Sequence, residues 1–218
     1  MADLVITLVE GSSPNVDNFK ALVLFGYFQS PKFFDNQKQQ IFSMIGIPEI
    51  KDKILKEFPQ YFDGDGIKIC MHFRMGDYKN HPDYHPILTY EYYYNALMHM
   101  IMHSVLTSKI TVLYFCEKDD NKDVQAIINR LKNDFENFHF VKVDDKIEDW
   151  KQMMIMSNCD HNIIANSSFS WWGAYFNMNK DEYNERRVLY PETWFGPTAN
   201  IDTKDLCPPD WVKINYNY

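Results

Sequence analysis

Hydrophobic and polar positions alternate along this chain with two different periods, and the switching between them predicts a layered α/β fold. Five short apolar runs, at residues 67–73, 110–116, 138–143, 161–165 and 188–190, have the length and bulk of buried strands. Between them the period lengthens to that of helices. Residues 89–105 set Tyr93, Leu97, Met100 and Ile101 on one face. Residues 121–135 do the same with Val124, Ile127, Ile128, Leu131 and Phe135. Residues 148–158 turn Trp150, Met153 and Met154 inward, and a further helix starts near Ser168. Strand and helix alternate with short connections, which predicts a Rossmann-like parallel sheet with helices on both faces.

Before residue 63 the pattern is different. A strand is expected around residues 4–9, followed by a loop. Ser30-Pro31 suits a helix start, with Ser as cap and Pro in the first turn, and Ile41, Phe42 and Ile45 continue an apolar face. A second helix after Pro48 carries Ile50, Ile54, Leu55 and Phe58. Asp63-Gly64-Asp65-Gly66 reads as a turn. Residues 1–62 are therefore expected to be a helical N-terminal segment, and residues 63–218 the α/β domain.

Composition narrows the partners. The net charge of -8 argues against nucleic acid. The four cysteines, Cys70, Cys116, Cys159 and Cys207, show no paired spacing, so buried reduced thiols are expected in place of a zinc site. His81 and His85 are separated by prolines, the histidines are read as offering no helical pair, and no metal is expected. The start of the sequence has neither a basic leader nor an apolar span. A cytoplasmic protein without a transmembrane segment is expected, with peripheral membrane association left open.

In parallel sheets ligands bind beyond the carboxyl ends of the strands. The first of these strands ends in His72-Phe73-Arg74-Met75-Gly76-Asp77-Tyr78. Alternation puts His72 and Arg74 on one face. An arginine fork there suits paired phosphate oxygens, and Asp77 could orient it or accept a proton from a sugar hydroxyl. A plain surface salt bridge between the two is an equal reading. The fourth strand ends in Asn166-Ser167-Ser168-Phe169-Ser170-Trp171-Trp172-Gly173, where serines meet a helix start. That is either an anion site or ordinary capping. Trp171 and Trp172 are expected in the core, with Gly173 allowing close helix packing. Asp144-Asp145, after the third strand, reads equally as a carboxylate for a guanine or ribose and as a solvated turn. Glu117-Lys118-Asp119-Asp120 reads as an acidic helix start.

Taken together, these segments resemble a known family. The segment from His72 to Tyr78 resembles the His-x-Arg-Arg-Gly-Asp-Tyr motif of the α-1,2-fucosyltransferases, the eleventh glycosyltransferase family. The segment from Asn166 to Trp172 is similar to that family's Asn-Ser-Thr/Ser-Phe/Tyr-Ser-Trp-Trp motif. Residues 25–31 and 191–194 look like two more of its segments. The resemblance implies an inverting transferase of the two-Rossmann, GT-B type. Its donor would be GDP-β-L-fucose, its acceptor a glycan hydroxyl, and it would need no metal or other cofactor. It assigns the diphosphate to Arg74 and the turn of Asn166, Ser167, Ser168, Phe169 and Ser170, the general base to Asp77, and the guanosine side to His72 and Asp144. Met75 departs from the motif, which has a second arginine there. The Gly-Gly-x-Gly-Asn-Gln segment of a first Rossmann domain, roughly 100 residues, is absent. On this resemblance residues 1–62 would be a remnant of, or connector to, that missing domain and residues 63–218 the Rossmann-like GDP-sugar-binding domain. The alternatives are a catalytically weak or inactive GDP-sugar-binding protein or subunit, or a second chain supplying the missing domain.

Overall fold

The computed structural model describes residues 30–103, 109–178 and 185–216, and the backbone of two short strands before them. Those strands, β1 (Val5–Leu8) and β2 (Leu22–Phe25), pair antiparallel. The first lies where a strand is expected. Residues 26–29, in the motif-like segment 25–31, lie outside the described residues.

The chain then makes two short helices. The expected helix at Ser30-Pro31 begins instead as two 3-10 turns, Pro31–Phe33 and Asp35–Gln37, before α1 (Lys38–Met44). Ser30 does cap the first turn, accepting from the Lys32 N–H. Gly46, at φ 72, separates α1 from α2 (Ile47–Glu57), and Pro48 sits in the first turn of α2. Phe42, Ile47 and Ile54 are buried, whereas Ile45 and Leu55, expected on the apolar faces, are exposed. Helices this short bury one narrow stripe, and those two residues fall beside it.

Six parallel strands form the main sheet: β3 (Ile67–His72), β4 (Ile110–Phe115), β5 (Phe138–Lys142), β6 (His161–Ile163), β7 (Val188–Pro191) and β8 (Val212–Ile214). Their order is β5-β4-β3-β6-β7-β8. The chain starts in the middle, winds outward to β5, and returns to the other side of β3. The order therefore reverses between β3 and β6, which makes their carboxyl ends the switch-point crevice of a Rossmann-type sheet. Every residue of β3 and of β4 is buried, as expected for strands covered on both faces.

Helices α3 (Tyr90–His103) and α4 (Asn121–Asp134) cover one face. Tyr92, Tyr93, Leu97, Ile128 and Leu131 pack there with Ile67, Ile69 and Met71. Helices α5 (Asp149–Ser157) and α6 (Ser168–Tyr175) cover the other, in one cluster with Phe42, Ile47 and Ile54 of the N-terminal helices. Lys51 of α2 is buried and donates to the Ser157 carbonyl of α5; burial lowers its pKa to about 8. Gly173 lets α5 and α6 approach as expected, since a Cβ there would come within 3.0 Å of the Met156 Cβ.

Several helix faces differ from their expected pattern. Trp150 is 46% exposed in the first turn of α5, and Ile101 is exposed near the end of α3. Helix α3 also carries His99 and His103 one turn apart, their ring centroids 4.3 Å apart, so a helical histidine pair does exist. Among the described residues no third His, Cys, Asp or Glu joins them as a metal-holding group. Cys70, Cys116 and Cys159 are buried, and all four thiols are free. No helix among the described residues is long and apolar enough to cross a membrane.

Candidate functional site

The carboxyl end of β3 carries the charged half of the crevice. Strand alternation sends Phe73 and Met75 into the core on the α3–α4 face and leaves Arg74 on the opposite side, with 27% of its side chain exposed. Met75 is only 5% exposed and packs in the core, so an apolar side chain belongs at this position. Arg74 is held by two carboxylates. One of its amino groups donates to Asp77 at 2.6 Å and the other to Glu117. The second partner follows from register: His72 pairs with Phe115, which sets Arg74 opposite Glu117 two residues on. Glu117 is thus a candidate site residue that its reading as a helix cap passes over. Parallel pairing of β3 with β4 was the signal that could have found it.

The loop after Arg74 is anchored from beneath. Buried Asp120 accepts from the Gly76 N–H at 2.7 Å and from the Lys79 ammonium at 2.7 Å. Hydrogen bonds to Asp120 and Asp123 hold the Lys79 ammonium well above its usual range. Gly76 suits this turn because its φ is +23; a Cβ there would also sit 2.8 Å from a Glu117 carboxylate oxygen, which would have to move aside.

The carboxyl end of β6 is neutral and mostly buried. Asn166 is 1% exposed, and its amide donates to the Pro86 and Trp194 carbonyls. Ser167 is the N-cap of α6, accepting from the Phe169 N–H at 3.3 Å. Ser170 is buried and donates to the Ala165 carbonyl. Of the residues in this turn, Ser168 is the exposed one, with Phe169 half-buried. The first N–H groups of α6 and the Ser168 hydroxyl are what this end can offer an anion.

Two contacts join the ends. The Tyr78 hydroxyl donates to the Asn166 carbonyl at 2.9 Å, and the His72 ring lies 5.6 Å from that of Phe169. The Arg74 guanidinium sits over the Tyr78 ring at 5.2 Å. Arg74, beside Tyr78, and the serine turn therefore neighbour one another at the switch point of the sheet. Burial, aided by Arg74, pushes the His72 pKa down to about 3, so its imidazole is neutral at ordinary pH. Among the described residues, the buried His72 Nδ1 and Asn166 Oδ1 have no hydrogen-bond partner. Groups of that kind are uncommon in protein interiors.

Asp144 lies apart from this cluster. It is exposed beyond β5, two strands from β3, or about 10 Å at ordinary strand spacing. Its carboxylate accepts from the Lys146 N–H at 3.0 Å, closing a small turn. Neighbouring Asp145 faces Lys142 and Asn121 instead.

Comparison with known proteins sets this geometry in context. The profile described as Glycosyl transferase family 11 matches residues 18–215. The chain is 26% identical over 197 residues to the O-antigen biosynthesis glycosyltransferase WbnK of Escherichia coli, an alignment covering 88% of this chain and 60% of the relative. It is 26% identical to an Escherichia coli alpha-1,2-colitosyltransferase, over 87% of this chain and 61% of the relative. It is also 26% identical to a galactoside 2-alpha-L-fucosyltransferase of Caenorhabditis elegans, over 89% and 53%. The chain thus spans about three-fifths of the length of the first two relatives and about half of the third. Among solved structures, the E. coli ADP-heptose lps heptosyltransferase II superposes with a TM-score of 0.46 at 12% identity, covering 76% of this chain and 43% of that one.

Proposed function

The chain belongs to glycosyl transferase family 11, and from that premise we propose that it holds GDP-β-L-fucose across the carboxyl edge of its sheet and transfers fucose, with inversion, to a glycan hydroxyl. The observation that carries this reading is the joining of the two strand ends through Tyr78 and Asn166. It puts a guanidinium and a helix start on either side of the crevice where a diphosphate would lie.

Each residue then has a role. Arg74 keeps donors to spare beyond its two carboxylate contacts, and these meet the diphosphate. The α6 N–H groups and Ser168 meet it from the other side. Asn166, Ser167 and Ser170 shape that turn, their side chains already engaged with backbone groups. Phe169 covers neutral His72, which serves the nucleoside by hydrogen bonding and not by charge. Asp144 takes the guanosine end. In the transfer, the acceptor oxygen bonds to the sugar's anomeric carbon as the bond from that carbon to the phosphate oxygen breaks. GDP leaves with the electron pair, Arg74 offsets the charge building on it, and Asp77 takes the acceptor proton. A second, GT-B-type domain would close the crevice.

Calorimetry with GDP tests the donor site. GDP is expected to bind without magnesium, and Arg74→Ala is expected to weaken it roughly tenfold to a hundredfold. Full affinity in that variant would remove Arg74 from the diphosphate. The match to a colitosyltransferase favours a second reading, in which the sugar moved is another deoxyhexose. Competing GDP-fucose against GDP-colitose for the same site separates the two.

A further inference from the structure

Beyond the diphosphate crevice, a hollow of about 300 Å³ opens at the carboxyl end of β7, lined in part by Glu192, Thr193, Phe195, Asn200 and Thr203. We infer that this hollow is a saccharide subsite, receiving a pyranose ring beside the diphosphate. The inference rests on the donor reading above and assigns the place of its sugar end.

Position is the first argument. The Glu192 N–H still pairs with the Ile214 carbonyl of β8, so the lining segment begins at the strand end. Trp194, also in the wall, accepts from the Asn166 amide at 3.1 Å. The hollow thus adjoins the residue that ties the two halves of the crevice together. The strand order adds a direction. With the nucleoside end over β5, at Asp144, and the diphosphate at β3 and β6, the remaining end of a nucleotide sugar points toward β7.

The lining chemistry is the second argument. A sugar presents hydroxyls at its rim and C–H groups on its faces, so its sites pair carboxylates, amides and hydroxyls with aromatic surface. Glu192, Asn200, Thr193 and Thr203 supply the polar groups. Phe195 supplies the aromatic surface, and it continues a run of rings back to Arg74. Phe195 lies 5.9 Å from His85, and His85 stacks on Tyr78 at 4.3 Å. Tyr78 is the ring beneath the Arg74 guanidinium. The volume lies at the lower end of small-molecule sites, about right for one ring.

Glu192→Gln and, separately, Thr203→Val change the hollow's wall without touching the core, so both variants are expected to keep the parent melting temperature. Calorimetry on the purified chain then uses three probes: GDP, GDP-fucose, and lactose in the presence of GDP. GDP affinity is expected to stay within about twofold of the parent, while GDP-fucose binds about tenfold more weakly. A loss confined to GDP-fucose assigns the hollow to the donor's own sugar, and a loss with lactose in its place overturns that assignment. Unchanged binding of both in both variants overturns the subsite. Failure of GDP to bind the parent chain overturns the donor reading instead.

Discussion

The two strand ends that flank the crevice are built on opposite principles. The end of β3 is charged and partly exposed: Arg74, Asp77 and Glu117 meet one another across solvent-accessible space. The end of β6 is neutral and packed, with Asn166, Ser167 and Ser170 buried and the Asn166 amide nitrogen and both hydroxyls hydrogen-bonded to backbone. Exposed ion pairs contribute little to stability and can be exchanged for a ligand's charges. Buried hydrogen bonds are costly to break and fix a shape. The first end is suited to exchanging its charges with a ligand and the second to holding a helix start in place.

Substitutions should therefore sort by side. The largest expected effect lies behind the β6 end. Trp171 is fully buried, stacks on Tyr175 at 4.9 Å and donates its indole N–H to the Leu206 carbonyl. Trp171→Ala is expected to cost about 3–5 kcal/mol and lower the melting temperature by on the order of 10 °C. Arg74→Ala is expected to do the reverse, losing GDP affinity while the melting temperature moves by no more than about 2 °C. Thermal melts of the two variants side by side check the contrast. A large thermal loss for Arg74→Ala would make it a structural residue.

The two ends differed in the same way in how far they could be read from the sequence. Short buried strands separated by amphipathic helices gave the central architecture, because residue period reports burial directly. Arg74 and the serine turn stood out because each follows such a strand. Glu117 did not, since its partner is set by strand register, which no local pattern encodes. The strand β8, only three residues long, is too short to show a period. Trp150 misled because hydrophobic character was taken for burial, yet a first-turn residue can stand beyond the reach of its neighbours. That Met75 belongs in the core needed the fold, because alternation alone does not say which face of the strand end is covered.

His72 sits between the two ends and gives the next prediction. Its folded pKa of about 3 lies below its ordinary value near 6.5. As pH falls below about 6.5 the unfolded chain takes up a proton that the folded chain refuses until about 3. The stability that His72 contributes is therefore fully present above pH 6.5 and is lost as pH falls through that window. The slope is at most about 1.4 kcal/mol per pH unit. Urea unfolding of the parent and of His72→Gln between pH 4 and 7 measures it, and the difference between them should shrink as pH falls. Parallel curves would mean that His72 reaches solvent.

The smallest expected effect isolates the joint itself. Tyr78→Phe keeps a ring beneath Arg74 and against His85 and removes only the hydroxyl that reaches the Asn166 carbonyl. One lost hydrogen bond costs about 1 kcal/mol, a fall of roughly 2–4 °C in melting temperature. If the two ends act on one ligand, GDP affinity should fall a few-fold as well, because the arginine loop is no longer tied to the helix start. Melting and calorimetry on this one variant separate the cases. A thermal loss with unchanged GDP affinity would mean that the joint holds the fold but not the ligand, and that the charged end binds the diphosphate without help from its neutral partner.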